Sequence, residues 1–150
     1  MMMVNERGLS GSADMTGLPE VRPRFRGVMN TFLLRHIAER AASCEEALEV
    51  IREFVGRGWY AGGAAGTHWL FVDREGTALE VDHNAVEVRH RIHSEGVYFS
   101  VRAETPAAEA LRAAPRPVGF NTFHNVSRDP SMCFESSISG MTVEIDPRHP

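Results

Sequence analysis

The sequence predicts an α+β fold built on a mostly antiparallel sheet. Two amphipathic helical stretches stand in tandem over residues 30–56. Short alternating segments joined by tight turns follow from residue 67. Those segments are too closely spaced for the crossover helices that a parallel sheet needs. The 150-residue length and 43% hydrophobic content suffice for one domain with a real core.

Residues 1–27 are rich in Gly, Ser, Pro, Met and Arg, show no sustained period, and are expected to form a loose leader. From Asn30 a helical period sets in. Phe32, Leu33, Leu34, Ile37 and Ala38 fall on one side, with Arg35, Glu39 and Arg40 opposite. Ser43-Cys44-Glu45-Glu46 reads as a capping box, with Ser43 as N-cap and Glu46 three residues on. The helix it opens carries Ala47, Leu48, Val50, Ile51, Phe54 and Val55 at 3–4 spacing, and Gly56 and Gly58 can end it.

The run Gly62-Gly63-Ala64-Ala65-Gly66 lacks the GxGxxG order and precedes a strand rather than a helix. It therefore reads as a flexible entry or a close backbone contact, not as a phosphate cradle. Thr67–Asp73, the turn Arg74-Glu75-Gly76 and Thr77–Asp82 predict a hairpin. In its second arm Leu79 and Val81 share one face, and Ala78, Glu80 and Asp82 the other. Ala85–Arg91 and Val97–Arg102 read as further strands. Thr105-Pro106 opens a short helix with Pro at its first position. Phe120-Asn121-Thr122-Phe123-His124 reads as a helix start or an extended segment, and Ser136–Ile145 as a last strand with a bulge at Gly140.

Composition excludes several classes of function. All 16 basic residues are Arg, so no Lys nucleophile, Schiff-base Lys or P-loop Lys exists. The net charge of −4 offers no basic field for nucleic acid. No apolar run reaches the roughly 18 residues of a membrane span. The N-terminal residues lack the apolar core of a signal peptide, so a cytoplasmic location is expected. Cys44 and Cys133 do not make a disulfide framework or a CxxC metal motif. His83, His90 and His93 lie close in sequence, but alternation puts His90 and His93 on opposite strand faces, so no metal site and no cofactor are expected.

Cys44 falls in the first turn of a helix, where the dipole lowers a thiol pKa; a small packed residue is the plainer reading. Cys133 shares a polar stretch with His124, Asn125, Ser127, Arg128 and Asp129, a weak thiol-nucleophile signal. Asn84 follows a strand, and Ser127, Arg128 and Ser131 offer hydroxyls and a fixed positive charge for an acyl or carboxylate group. These four residues are the expected substrate contacts. The plainer reading makes Asn84 a turn cap and pairs Arg128 with a carboxylate.

Five stretches carry a family resemblance. Val28-Met29-Asn30-Thr31-Phe32-Leu33-Leu34-Arg35, the capped helix at Ser43–Ala47 and the segment from Gly58 to Asn84 resemble the N-terminal-nucleophile (Ntn) hydrolases typified by acyl-coenzyme A:6-aminopenicillanic acid acyltransferase. Ser127–Phe134 and Ser137–Asp146 resemble a later stretch of the same family, so the likeness spans about residues 28–150. The resemblance implies a partial αββα sandwich. It also implies an autoproteolytically exposed N-terminal Cys that attacks an amide or thioester carbonyl, with its own α-amine as general base and sheet-edge donors for the oxyanion. The family nucleophile precedes the recognised segment, and no Cys stands before Cys44. Phe134 occupies the place after Ser131-Met132-Cys133 where penicillin-type members often carry Arg.

The chain is therefore expected to be a middle-to-late fragment of an acyltransferase or amide hydrolase, inactive alone. Its expected partners are a small amide or acyl substrate and a companion chain or second copy, without nucleic acid or membrane. A small non-catalytic α+β binding or interaction module is the alternative.

Overall fold

The computed structural model describes residues 1–15, 17–20, 26–61, 65–93 and 104–132. The chain divides into two compact units, residues 1–95 with 145–150, and residues 96–144. The first unit contains a five-stranded antiparallel sheet of β1 (Met2–Val4), β2 (Ser10–Asp14), β3 (Thr67–Val72), β4 (Ala78–His83) and β5 (Val88–His93), in that spatial order. Helices α1 (Asn30–Arg40) and α2 (Cys44–Gly56) come between β2 and β3 in sequence and pack on one face of the sheet.

Both helices form where the apolar period places them. Leu33, Leu34 and Ile37 of α1 are buried, as are Ala47, Leu48, Val50, Ile51, Phe54 and Val55 of α2. Phe32 departs from the expectation: it lies outside the buried stripe and is 65% exposed. The N-cap half of the capping box forms, while the Glu46 carboxylate reaches one residue further back than the box requires. Ser43 Oγ accepts from the Glu46 N–H at 3.2 Å, and Glu46 Oε2 accepts from the Ala42 N–H at 2.6 Å.

The predicted hairpin is β3–β4, with register Trp69↔Val81 and Phe71↔Leu79. Thr67, Trp69, Phe71, Leu79, Val81 and His83 face the helices and are fully buried. Trp69 stacks on Phe71 (centroids 5.8 Å apart) and on His83 (5.9 Å), and Tyr60 meets His83 edge-on at 4.5 Å. Burying this row of aromatic rings against two apolar helix faces stabilises the unit.

Residues 2–14 correct the sequence reading of a leader over residues 1–27. Where a loose leader is expected, Met2–Val4 and Ser10–Asp14 are strands, and β2 lies between β1 and the hairpin. Gly11 stands opposite Phe71 and Ala13 opposite Trp69. A Cβ on Gly11 would run into the Phe71 ring. The large rings of β3 thus fill the volume that side chains of β2 would otherwise occupy, so β2 needs no hydrophobic alternation. Gly66 is packed in the same way: a Cβ there would meet the His83 carbonyl, and its N–H donates to the Leu18 carbonyl at 2.9 Å. The glycine run thus ends in a close backbone approach.

The strand expected at Ala85–Arg91 begins later, at Val88, because Asn84 organises a turn before it. In the second unit, α3 (Pro106–Ala113) is capped by Thr105 Oγ1, which accepts from the Ala108 N–H at 3.2 Å. It packs on α4 (Phe120–Ser127), which settles the Phe120–His124 stretch as a helix. The strands expected at Val97–Arg102 and Ser136–Ile145, and Cys133, lie outside the described residues.

Candidate functional site

The sheet has two chemically different faces. Opposite the helices, the alternation that buries Trp69 and Phe71 sends His68, Leu70 and Val72 the other way. Register aligns these with Ala78, Glu80 and Asp82 on β4, and those in turn with His93, Arg91 and Arg89 on β5. Three adjacent strands therefore place histidine, carboxylate and guanidinium groups on one surface.

At its centre, His68 Nδ1 lies 2.7 Å from Asp82 Oδ1. The side chain of His68 is only 7% exposed, and its Nε2 makes no hydrogen bond. That nitrogen faces Glu80 Oε1 at 3.8 Å, beyond hydrogen-bond reach. The other Glu80 oxygen, Oε2, lies 3.6 Å from His93 Nε2 and 3.8 Å from the exposed Arg91 guanidinium. A shallow hollow of about 270 Å³ opens beside the cluster, bordered by Leu18, Glu80, Asp82, Arg89, His90 and Arg91. Residues 68 and 82 are fourteen apart in sequence, so no local spacing announces the cluster. Only the hairpin register brings it together, and that register could have flagged it once the β3–β4 pairing was drawn.

The histidines singled out by proximity in sequence separate, as alternation requires. His90 stands opposite Val81 on the helix side, with Nδ1 3.4 Å from Arg52 on α2. His93 stands opposite Ala78 on the other face. His83 is fully buried in the core, and burial pushes its pKa from 6.5 down to about 4. Its Nδ1 lies 3.1 Å from the Asn84 carbonyl, while Nε2 makes no hydrogen bond.

The expected substrate contacts belong to different units. Asn84 is buried in the first unit with its amide committed. Nδ2 donates to the Pro19 carbonyl at 3.0 Å, and Oδ1 accepts from the Val86 and Glu87 N–H groups at 2.9 and 2.8 Å. This is the turn-forming role. Ser127, Arg128 and Ser131 belong to the second unit. Ser127 Oγ donates to the His124 carbonyl at 2.9 Å, Arg128 is exposed at the end of α4, and the Ser131 hydroxyl and N–H both donate to Asp129.

Cys44 is not an activated thiol. It is 1% exposed, and its Sγ lies 3.2 Å from the Thr77 carbonyl. Burial, with the Asp73 carboxylate beside it, pushes its pKa up to about 12. The helix dipole that favours a thiolate at this position is outweighed by desolvation. Sequence reasoning missed Asp73 itself. Its Oδ2 accepts from the Cys44 N–H, and its Oδ1 from the Glu75 and Thr77 N–H groups, all at 3.1 Å. One carboxylate thus ties the hairpin turn to the start of α2.

No family model and no curated protein matches the chain. Among the described residues, no helix is long and apolar enough to cross a membrane.

Proposed function

We propose that the chain is a scaffold element of an Ntn-type acyltransferase or amide hydrolase, supplying one helical layer and one sheet layer of an αββα sandwich and taking its nucleophile from outside the residues described. The observation that carries this reading is the two-faced sheet. One face is sealed by α1 and α2, while the other carries the nearly buried His68 and the half-buried Leu70, Val72, Glu80 and Asp82, with the exposed Arg89 and Arg91 on β5. In a layered α/β domain, such a second face is suited to packing against another sheet.

The chemistry of the described residues agrees with a scaffold role. An Ntn mechanism needs one residue to present both a nucleophilic side chain and a free α-amine. Cys44 lies inside the chain, with its thiol held protonated and buried. In this reading the exposed Ser127, last residue of α4, and Arg128, its C-cap, form part of a pocket wall facing an acyl or carboxylate group.

The test is co-expression with the reading frames adjacent to its gene, followed by assay on amide and acyl-thioester substrates. The expected outcome is no turnover by the chain alone, and turnover by a co-purifying complex in which a companion chain begins with Cys, Ser or Thr. Turnover by the isolated chain would overturn the scaffold role. A chain that co-purifies with no such companion and never turns over substrate would instead be the non-catalytic module.

A further inference from the structure

We propose that His68 and Glu80 are ligands of a divalent cation of the zinc class on the sheet face opposite the helices, with Asp82 orienting the His68 ring. This goes beyond the scaffold reading and departs from the metal-free expectation drawn from local spacing.

Three observations support it. First, His68, Glu80 and Asp82 each offer a ligand atom within 4.8 Å of the others. Second, His68 Nε2 is buried without a hydrogen bond, a costly arrangement for a polar atom unless something completes it. It points at Glu80 Oε1 across 3.8 Å. Two ligands of a tetrahedral zinc, with bonds of roughly 2.0–2.2 Å, stand about 3.4 Å apart, so a shift of a few tenths of an ångström brings both onto one ion. Third, the opposite ring nitrogen is bound to a carboxylate at 2.7 Å. Metal-ligating histidines characteristically place their second nitrogen so, which fixes the tautomer and aims the free lone pair at the ion.

Chemistry selects the cation. Imidazole beside carboxylate favours zinc and its neighbours over the all-oxygen preferences of magnesium and calcium. His93 Nε2, 3.6 Å from the second Glu80 oxygen, brings another imidazole to the rim of the cluster. The opposing charges are Arg89 and Arg91. Arg89 is engaged by Glu87 at 2.7 Å. Arg91 reaches Glu80 only at 3.8 Å, and its side chain is 73% exposed, so it is free to turn into solvent when a cation takes its place.

The test uses the full chain, stripped with a chelator and titrated with Zn²⁺ alone. One equivalent should bind and raise the melting temperature. Nitrogen-detected NMR should show the ion on His68 Nε2, with Nδ1 still protonated. His68→Gln and Glu80→Gln should each weaken binding at least tenfold, and Asp82→Asn by 10- to 100-fold. His36→Gln, on α1 beside Arg40 and Phe54, should leave affinity unchanged. Absence of stoichiometric binding, an unperturbed His68 nitrogen in the zinc-saturated wild type, or affinity insensitive to both His68→Gln and Glu80→Gln would overturn the proposal. The NMR readout needs no variant, so a substitution that fails to fold leaves the test decisive. No arm uses turnover, so the metal site and the scaffold reading stand or fall separately.

Discussion

At the scale of single residues, burial sets the chemistry of Cys44 and His83. Desolvation holds the Cys44 thiol protonated, so iodoacetamide should leave Cys44 unmodified in the native chain at neutral pH and alkylate it in denaturant. Peptide mass spectrometry reads the difference; native labelling at Cys44 would contradict it. For His83 the same cause acts with the opposite sign. Its imidazole is neutral in the fold, with a pKa of about 4 against 6.5 when unfolded. The unfolded chain therefore gains the proton first as the pH falls. Stability from this group is complete above pH 6.5 and is lost between 6.5 and 4. Denaturant titrations at about pH 7.5 and pH 5 should differ by about 2 kcal/mol more in the wild type than in His83→Phe. An equal difference in both would show that His83 does not carry the effect. Neither shift was legible in the sequence, because a helix-terminal Cys and a strand-terminal His look the same whether core or solvent surrounds them.

At the scale of elements, legibility followed the range of the interactions. The α2 cap was readable because Ser43 and Glu46 act within one turn. The faces of β4 were readable because alternation is a property of the strand itself. Asp73 and Asn5 were not, because each joins a local turn to partners distant in sequence. Asn5 Nδ2 donates to the Ala38 and Ala41 carbonyls, closing the end of α1 from the β1–β2 turn, while its Oδ1 accepts from the Arg7 and Leu9 N–H groups. Asp73 does the equivalent at the start of α2, where an acceptor satisfies an orphan N–H and its charge suits the dipole. Asp73→Ala should cost about 3 kcal/mol, since buried donors lose a charged acceptor. Asp73→Asn, which keeps one side-chain oxygen, should cost less. Urea unfolding distinguishes the two, and equal costs would place the effect in the charge rather than in the hydrogen bonds.

At the scale of the molecule, the α+β class and the helix pair on an antiparallel sheet were legible, and the sheet's extent was not. Strands β1 and β2 hide in a Gly-, Ser- and Met-rich stretch because their stability is supplied by neighbours. The rings of Phe71 and Trp69 cover Gly11 and Ala13, and Leu9 is fully buried beside them. The His68–Glu80–Asp82 cluster was hidden for a related reason, since a cross-strand site exists only once register is known. This dependence makes the first fourteen residues a test of the fold. A chain beginning at Met15 would bare the β3 edge along Thr67–Val72 and one side of the Trp69–Phe71 stack, a long apolar edge prone to pairing with another copy. It should lose cooperative unfolding and self-associate, as read by thermal denaturation and analytical ultracentrifugation. Gly11→Ala should act in the same direction more mildly, lowering stability by about 1–3 kcal/mol, because its methyl has no room beside Phe71. If the truncated chain melted like the full one, β1 and β2 would be dispensable and the sheet would be held by the hairpin and helices alone.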